Sequence, residues 1–127
     1  MLYDVFVSYN LFCLILIGGE KEIMSVTVRN IIKFLPGKME EGMELVKKWM
    51  ATADRVLGIS SRCYRHLSGG GDTTRTIIWE MDHDSLATFE TLPPKIGADP
   101  EMQKLFPKLN AVIDSIDVEF YWPIPTT

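Results

Sequence analysis

The sequence predicts an α+β fold in which a four-stranded antiparallel sheet carries helices on one face. Strand-like and helix-like stretches follow one another in the order strand, helix, strand, strand, helix, strand between residues 26 and 122. A strand at residues 74–82, centred on Trp79, has apolar residues on both faces, which is typical of a strand covered from two sides. The 127 residues suit one domain with a single hydrophobic core.

The first strand is predicted at residues 26–35, and its alternating pattern separates two faces. We assign one face to the helices because it is apolar apart from Asn30 at its middle; its members are Val26, Val28, Asn30, Ile32 and Phe34. Pro36 and Gly37 then end the strand.

An amphipathic helix is predicted over residues 38–57, with acidic residues early, basic residues late and Gly58 as its stop. Apolar residues recur at spacings of three and four; they are Met39, Met43, Val46, Met50, Ala53 and Leu57.

The second strand is predicted at residues 59–67, and the glycine run at residues 69–71 predicts a hairpin turn back to the Trp79 strand. A short helix over residues 84–91 is expected to end at Pro93, followed by a loop at residues 95–98. Asp99 and Pro100 are typical of a helix start. Pro107 predicts a kink or break in this helix, and the last strand is predicted at residues 116–122.

Right-handed crossovers between these elements give a ferredoxin-like βαββαβ topology. The face of the sheet away from the helices carries Ile31 and Leu35, more apolar surface than a monomer normally exposes. We therefore expect a homodimer whose two sheets pack face to face as a dimeric α+β barrel, with higher oligomers left open.

Residues 1–23 form an apolar N-terminal extension ahead of the domain at residues 24–127. The extension is too short for a membrane-spanning helix and lacks the pattern of a secretory signal, so we expect no stable membrane insertion. Two interpretations stay open: an added element that packs on the domain, or an upstream stretch before a start at Met24.

Composition excludes several classes of function. The net charge of −4 and the lack of a basic run argue against nucleic-acid binding. The two cysteines, Cys13 and Cys63, form no Cys-x-x-Cys pattern, and the two histidines, His66 and His83, form no zinc-like cluster with them. We therefore expect no metal, no dedicated cofactor and a reducing, cytoplasmic location.

Three stretches resemble the dimeric α+β barrel superfamily, which includes NIPSNAP-like proteins, antibiotic-biosynthesis-type monooxygenases and haem-degrading monooxygenases. The stretches are Asn30-Ile31-Ile32-Lys33-Phe34-Leu35-Pro36-Gly37-Lys38, Ile77-Ile78-Trp79-Glu80 with Asp84-Ser85-Leu86, and Ala98-Asp99-Pro100-Glu101-Met102-Gln103-Lys104-Leu105. The third looks most like the NIPSNAP-type final helix. The resemblance implies a homodimer with a pocket between sheet and helices in each subunit.

The resemblance also argues against haem degradation. In the haem-degrading members an Asn on the first strand and a Trp on the third line the cofactor pocket, and Asn30 and Trp79 fall at the corresponding places. Those members bind the haem iron through a histidine on the last helix, and this chain has no histidine between Pro100 and Ile116.

The candidate ligand-binding residues are Asn30, Trp49, Trp79 and Arg75. Asn30 interrupts an apolar face, Trp49 flanks the helix's apolar stripe, and Arg75 shares the predicted strand face of Trp79. Each also has a plainer structural interpretation: core packing for the tryptophans, a backbone bond for Asn30 and a solvated strand end for Arg75. His83 and His66 are expected in exposed turns.

Three functions remain open. The first is a homodimer that binds a hydrophobic or aromatic small molecule between sheet and helices. The alternative, which rests on the resemblance, is a cofactor-independent monooxygenase acting on an electron-rich aromatic substrate. The third is a fold that serves only assembly, with the pocket filled by side chains. The sequence leaves open whether the chain is catalytic.

Overall fold

The computed structural model describes residues 25–124, so the predicted extension at residues 1–23 lies outside the described residues. The elements are β1 (Val26–Phe34), α1 (Met39–Leu57), β2 (Arg62–Arg65), β3 (Thr76–His83), α2 (Leu86–Glu90), α3 (Leu92–Gly97), α4 (Pro100–Val112) and β4 (Ile113–Tyr121). The predicted βαββαβ order is confirmed, with three helices between β3 and β4 where the sequence predicted two.

The four strands form one antiparallel sheet in the order β2-β3-β1-β4. This is the ferredoxin-like arrangement, with β1 and β3 in the centre. Alternate residues of β1 are buried, and they are the five that the sequence assigned to the helix side: Val26, Val28, Asn30, Ile32 and Phe34. The residues between them lie on the other side, which we call the open face.

Helix α1 packs on the sheet through a stripe rotated from the predicted one. Its buried residues are Met39, Gly42, Leu45, Val46, Trp49, Thr52 and Ala53, whereas Met43, Met50 and Leu57 are only partly buried. Gly42 explains the rotation, because a Cβ at this position would overlap the ring of Phe34. A glycine therefore brings the helix close to the sheet, and Trp49 is turned into the core.

The start and end of α1 and α4 follow their sequence signals. Gly58 ends α1 in the left-handed conformation at φ 66°. The carboxylate of Asp99 accepts hydrogen bonds from the backbone N–H groups of Glu101 and Met102 at 3.1 and 3.3 Å, which fixes the start of α4. Of the kink or break predicted at Pro107, the break does not occur, since α4 is one helix from Pro100 to Val112. Buried leucines on either side of Pro107, at 105 and 109, hold both halves on the core.

Several predicted boundaries were wrong. Strand β2 is restricted to Arg62–Arg65 and is exposed throughout, because it is an edge strand paired only with β3. The predicted loop at residues 95–98 is mostly helix, because Pro93 and Pro94 start α3 instead of ending a helix. Strand β4 begins at Ile113, directly after α4 and three residues before the predicted start.

Candidate functional site

Three of the four predicted ligand-binding residues come together on the helix side of the sheet. Asn30 on β1 and Trp79 on β3 are register partners, so their side chains leave adjacent strands in the same direction. Trp49 reaches them from α1. The exposed fractions are 2% for Asn30, 4% for Trp49 and 1% for Trp79. The centre of the core therefore holds one amide and two indoles.

The two indoles contact each other edge to face. Their ring centroids lie 4.9 Å apart with an interplanar angle of 73°, an arrangement that aromatic rings prefer because a positive edge meets a negative face. The side-chain amide nitrogen of Asn30 donates a hydrogen bond to the backbone carbonyl of Trp79 at 3.4 Å. Asn30 therefore ties the strand that carries Trp79 to its neighbour.

The polar atoms of both indoles are buried, and neither has a hydrogen-bond partner among the described residues. This is the case for Nε1 of Trp49 and for Nε1 of Trp79. An indole N–H is a donor only, and a buried donor without an acceptor costs about 1–3 kcal/mol. Because most buried polar groups in proteins are paired, two unpaired donors on touching rings need an explanation.

Arg75 lies apart from the indole pair. Strand β3 begins one residue after it, and its guanidinium is held at the end of the sheet. It donates to the carboxylates of Asp72 and Asp114 at 3.0 and 2.9 Å and to the backbone carbonyl of Phe34 at 2.9 Å. These hydrogen bonds hold Arg75 at the end of the sheet. Arg75 therefore does not lie beside the other three predicted site residues.

His83 is a core residue, and its predicted place in an exposed turn was wrong. Strand β3 runs one residue further than predicted, to His83, and alternation puts His83 on the same side as Trp79. Its exposed fraction is 5% and its Nε2 is buried without a hydrogen-bond partner among the described residues. Burial lowers its pKa, against a smaller upward effect of the carboxylates of Asp82 and Asp84.

His83 lies at one end of a row of three aromatic rings. Its imidazole packs edge to face on Phe89 of α2 at 5.2 Å between centroids, and Phe89 in turn packs on Phe120 of β4 at 5.3 Å. The alternation of Ile77, Trp79, Met81 and His83 was visible in the sequence and could have identified His83 as buried. The Asp residues on either side suggested a turn instead.

The open face is more polar than predicted. Arg29 forms an ion pair with Glu80 at 2.7 Å and lies over the ring of Tyr121, 4.9 Å from its centroid. Arg62 pairs with Asp82 at 2.8 Å. A concave surface lies between these ion pairs and the glycines of the hairpin, and it encloses a volume of about 630 Å³. Its apolar lining residues are Ile31, Ile78 and Tyr64.

Two further findings concern the described part of the chain. Residues 25–124 contain no group of three or more His, Cys, Asp or Glu side chains arranged to hold a metal ion. Among the helices in the same residues, none combines the length and the apolar character that crossing a membrane requires.

Comparison with known proteins identifies the fold. No protein-family model matches the chain, and no curated protein does. Among solved structures, the chain is similar to a NIPSNAP family protein from Agrobacterium tumefaciens, with 21% identity, a TM-score of 0.71, and coverage of 84% of this chain and 91% of that one. A NIPSNAP domain protein from Burkholderia xenovorans has 16% identity, a TM-score of 0.67, and coverage of 82% and 98%.

A third similar structure is SnoaB, a cofactor-independent oxygenase from Streptomyces nogalater. It has 14% identity and a TM-score of 0.57, and the match covers 80% of this chain and 95% of that one. The chain therefore has the α+β fold of these NIPSNAP proteins and of SnoaB. The resemblance predicted from sequence is confirmed at the level of the fold, because identities this low carry no more than that.

Proposed function

We propose that this protein binds a flat hydrophobic or aromatic small molecule between the sheet and the helices, at Asn30, Trp49 and Trp79. The observation that carries the proposal is the pair of buried indole N–H groups without partners on rings that touch each other. A carbonyl or other acceptor oxygen on a ligand would pair with these donors, and its ring system would pack on the indole faces.

The cost of the unpaired donors supports a ligand over plain core packing. If the tryptophans only filled space, Phe or Leu would fill it without burying a donor. The adjacent amide of Asn30 adds a second kind of polar group to the same place. Mostly apolar walls with a few converging polar groups are the usual composition of a small-molecule site.

Native mass spectrometry of the purified chain, followed by the same sample under denaturing conditions, tests this proposal. The expected result is a released small molecule that is absent, or strongly reduced, in Trp79→Phe and Asn30→Ala. Trp122→Phe is the matched control, because Trp122 is 36% exposed and lies after the last strand. A ligand-free wild-type protein that also shows no thermal shift with a panel of aromatic compounds would favour the interpretation in which the fold serves only assembly.

A second candidate function is a cofactor-independent monooxygenase. The shared fold with SnoaB, described as a cofactor-independent oxygenase, favours it, and a site of indoles and an amide suits an electron-rich aromatic substrate. Dioxygen would react with a substrate carbanion held by Asn30 and an indole. Oxygen uptake with quinol-type substrates is the expected result, and no uptake across such a panel would contradict this function.

We also propose that two copies pair through their open faces. The half-exposed row of Ile31, Ile78 and Tyr64 supports this, because a second sheet would cover it while the flanking ion pairs fix the orientation. Light scattering after gel filtration is expected to give a dimer for the wild type and a monomer for Ile78→Glu. Lys104→Glu on α4 is the control, and a wild-type monomer would contradict the pairing.

A further inference from the structure

A surface groove between the two longest described helices, α1 and α4, has no role in the site described so far. It runs from Lys48 to Arg55 on α1 and from Glu101 to Lys108 on α4, and its volume is about 480 Å³. The lining residues of each helix are spaced by three and four, so they form one face about 10 Å long. The groove is therefore an open channel about as long as three extended residues.

The two ends of the groove differ in charge. At one end the guanidinium of Arg55, in the last turn of α1, forms ion pairs with Asp99 at 2.9 Å and with Glu101 at 3.5 Å, at the start of α4. Because the end of α1 meets the start of α4, the helices run in opposite directions, and Lys48 lies towards the same end of the groove as Lys108. The ion pairs therefore neutralise only one end.

The other end holds three lysines without a carboxylate partner. Lys48, Lys104 and Lys108 are exposed, and none of them forms an ion pair with a described residue. Lys104 and Lys108 are four residues apart on one helix face, where like charges repel each other. Elsewhere on and beside α1, Lys38 and Lys47 each pair with a glutamate three residues away. In a chain whose net charge is −4, this end of the groove keeps a positive charge that the described residues do not neutralise.

The floor of the groove is apolar and closed. Leu105 is 7% exposed and Thr52 is 6% exposed, and the methyl group of Ala51 lies beside them in the lining. Lysine side chains typically cover the walls of such a groove with their alkyl stems and keep their ammonium groups in water. This combination suits a bound chain that places one apolar side chain on the floor and its carboxylates at the rim.

We propose that this groove is a docking surface for an acidic segment of a partner protein. The segment lies along the groove, with its carboxylates at the end formed by Lys48, Lys104 and Lys108 and an apolar side chain over Leu105. Charge complementarity also sets its direction, because the carboxylate of Glu101 at the opposite end repels acidic residues. The acidic residues of the segment are therefore expected on one side of its apolar residue.

The shape of the groove favours a protein segment over other anionic partners. A membrane surface binds apolar side chains that project outwards, whereas Leu105 lies at the floor of a groove. A free phosphate needs donors that converge on one point, whereas the three lysines are exposed and belong to two helices. Nucleic acid needs a longer basic stripe.

Fluorescence anisotropy of the full chain with a labelled peptide tests the proposal. The probe peptide has the core Ser-Leu-Glu-Glu, and two comparison peptides carry Gln in place of both Glu, or Ser in place of Leu. The wild type is expected to bind the probe roughly tenfold more tightly than the Gln peptide, and to lose this preference as salt is added. Replacing Leu by Ser should weaken binding roughly threefold, because the floor loses its apolar contact.

Substitutions in the groove locate the binding site. Lys48→Glu and Lys108→Glu are each expected to weaken binding of the probe about fivefold or more, and a peptide with Lys in place of both Glu should bind the double variant better than the wild type. Lys95→Glu is the matched control, because Lys95 is exposed on α3 outside the groove and the change in net charge is the same. It should change the affinity less than about twofold.

Four results would overturn the proposal. They are no binding of the probe by the wild type at low salt, an equal loss of affinity in Lys95→Glu, and unchanged binding of the peptide with Ser in place of Leu. The fourth is preferential binding to vesicles of anionic lipid that the two groove variants abolish, which would assign these lysines to a membrane surface. None of these results bears on the small-molecule site, whose test is the released ligand.

Discussion

The two sides of the sheet treat polar groups in opposite ways. On the open face, ion pairs join Arg29 with Glu80 and Arg62 with Asp82, although Nδ1 of His66, beside the concave surface, is buried without a partner among the described residues. On the helix side, where pairing matters most, the Nε1 atoms of Trp49 and Trp79 and the Nε2 atom of His83 have no partner among the described residues.

This difference supports the proposal that the helix side holds the ligand. An exposed ion pair such as Arg62 with Asp82 contributes about 0–1 kcal/mol, so it adds little to stability, and only Glu80 of the open-face network is a buried charge. A buried unpaired polar atom costs about 1–3 kcal/mol, and the three such atoms on the helix side are together expensive to retain. Because these buried polar atoms are retained at such a cost, we expect a bound ligand to supply their hydrogen-bond partners.

The largest expected effect is a difference in the free energy of unfolding between two variants, each of which loses a large side chain from one side of the sheet. Trp79→Ala leaves a cavity in the centre of the core and should lower the free energy of unfolding by about 3–5 kcal/mol. Tyr64→Ala on the open face removes a side chain that is 47% exposed and should cost well under half as much. Urea unfolding followed by circular dichroism measures both. Comparable losses would contradict the assignment of the two sides.

A second substitution tests how closely α1 lies on the helix side. Gly42→Ala places a methyl group against the Phe34 ring and should cost about 1–3 kcal/mol, because the helix must move away. Gly97→Ala in α3 is the matched control, since a Cβ there meets no atom within 4 Å, and it should be neutral or slightly stabilising. Equal effects in thermal unfolding would mean that Gly42 does not set the helix distance.

A smaller effect is expected from the open-face network. Arg29→Met removes the ion pair with Glu80 and the contact with the ring of Tyr121. The loss should be about 1 kcal/mol or less and should shrink as salt is added, because the guanidinium is partly exposed. Unfolding midpoints at low and high ionic strength measure it. A large, salt-independent loss would show that this network behaves as core.

The smallest effect concerns pH and His83. Burial lowers the pKa of His83 in the folded protein, so the unfolded chain, with its ordinary value near 6.5, takes up the proton first. The unfolded state then holds more protons, and the free energy of unfolding should fall as pH drops from about 6.5 towards the lower folded pKa. His83→Phe should flatten this slope. Identical slopes for the two proteins would contradict a buried neutral imidazole.

Much of the fold could be predicted from the sequence because local signals agreed with one another. Alternation along β1, the Gly58 stop and the Asp99 start are each set by neighbouring residues. The candidate site was harder to predict from the sequence. Asn30 and Trp79 could be placed on the correct sides of their strands. Their position opposite each other depends on the pairing register of two strands whose paired residues are 49 positions apart in the sequence.

The misplaced residues have physical reasons. The third strand was predicted at residues 74–82 but runs from Thr76 to His83, so His83 was left out of the alternation that buries it and Arg75 was counted in a strand that begins after it. Trp49 depended on the rotation of α1, which follows from the contact of Gly42 with Phe34. The unpaired state of the indoles depends on side-chain positions that no sequence pattern specifies.

The most direct test of the central claim is the indole region of the ¹H–¹⁵N NMR spectrum. The protein is compared as purified and after unfolding, extraction with organic solvent and refolding. The N–H resonances of Trp49 and Trp79 should shift between the two samples, because they lose the hydrogen bonds to a ligand, while that of Trp122 stays in place. Identical indole resonances in both samples, with no molecule in the extract, would contradict the claim that these donors await a bound partner.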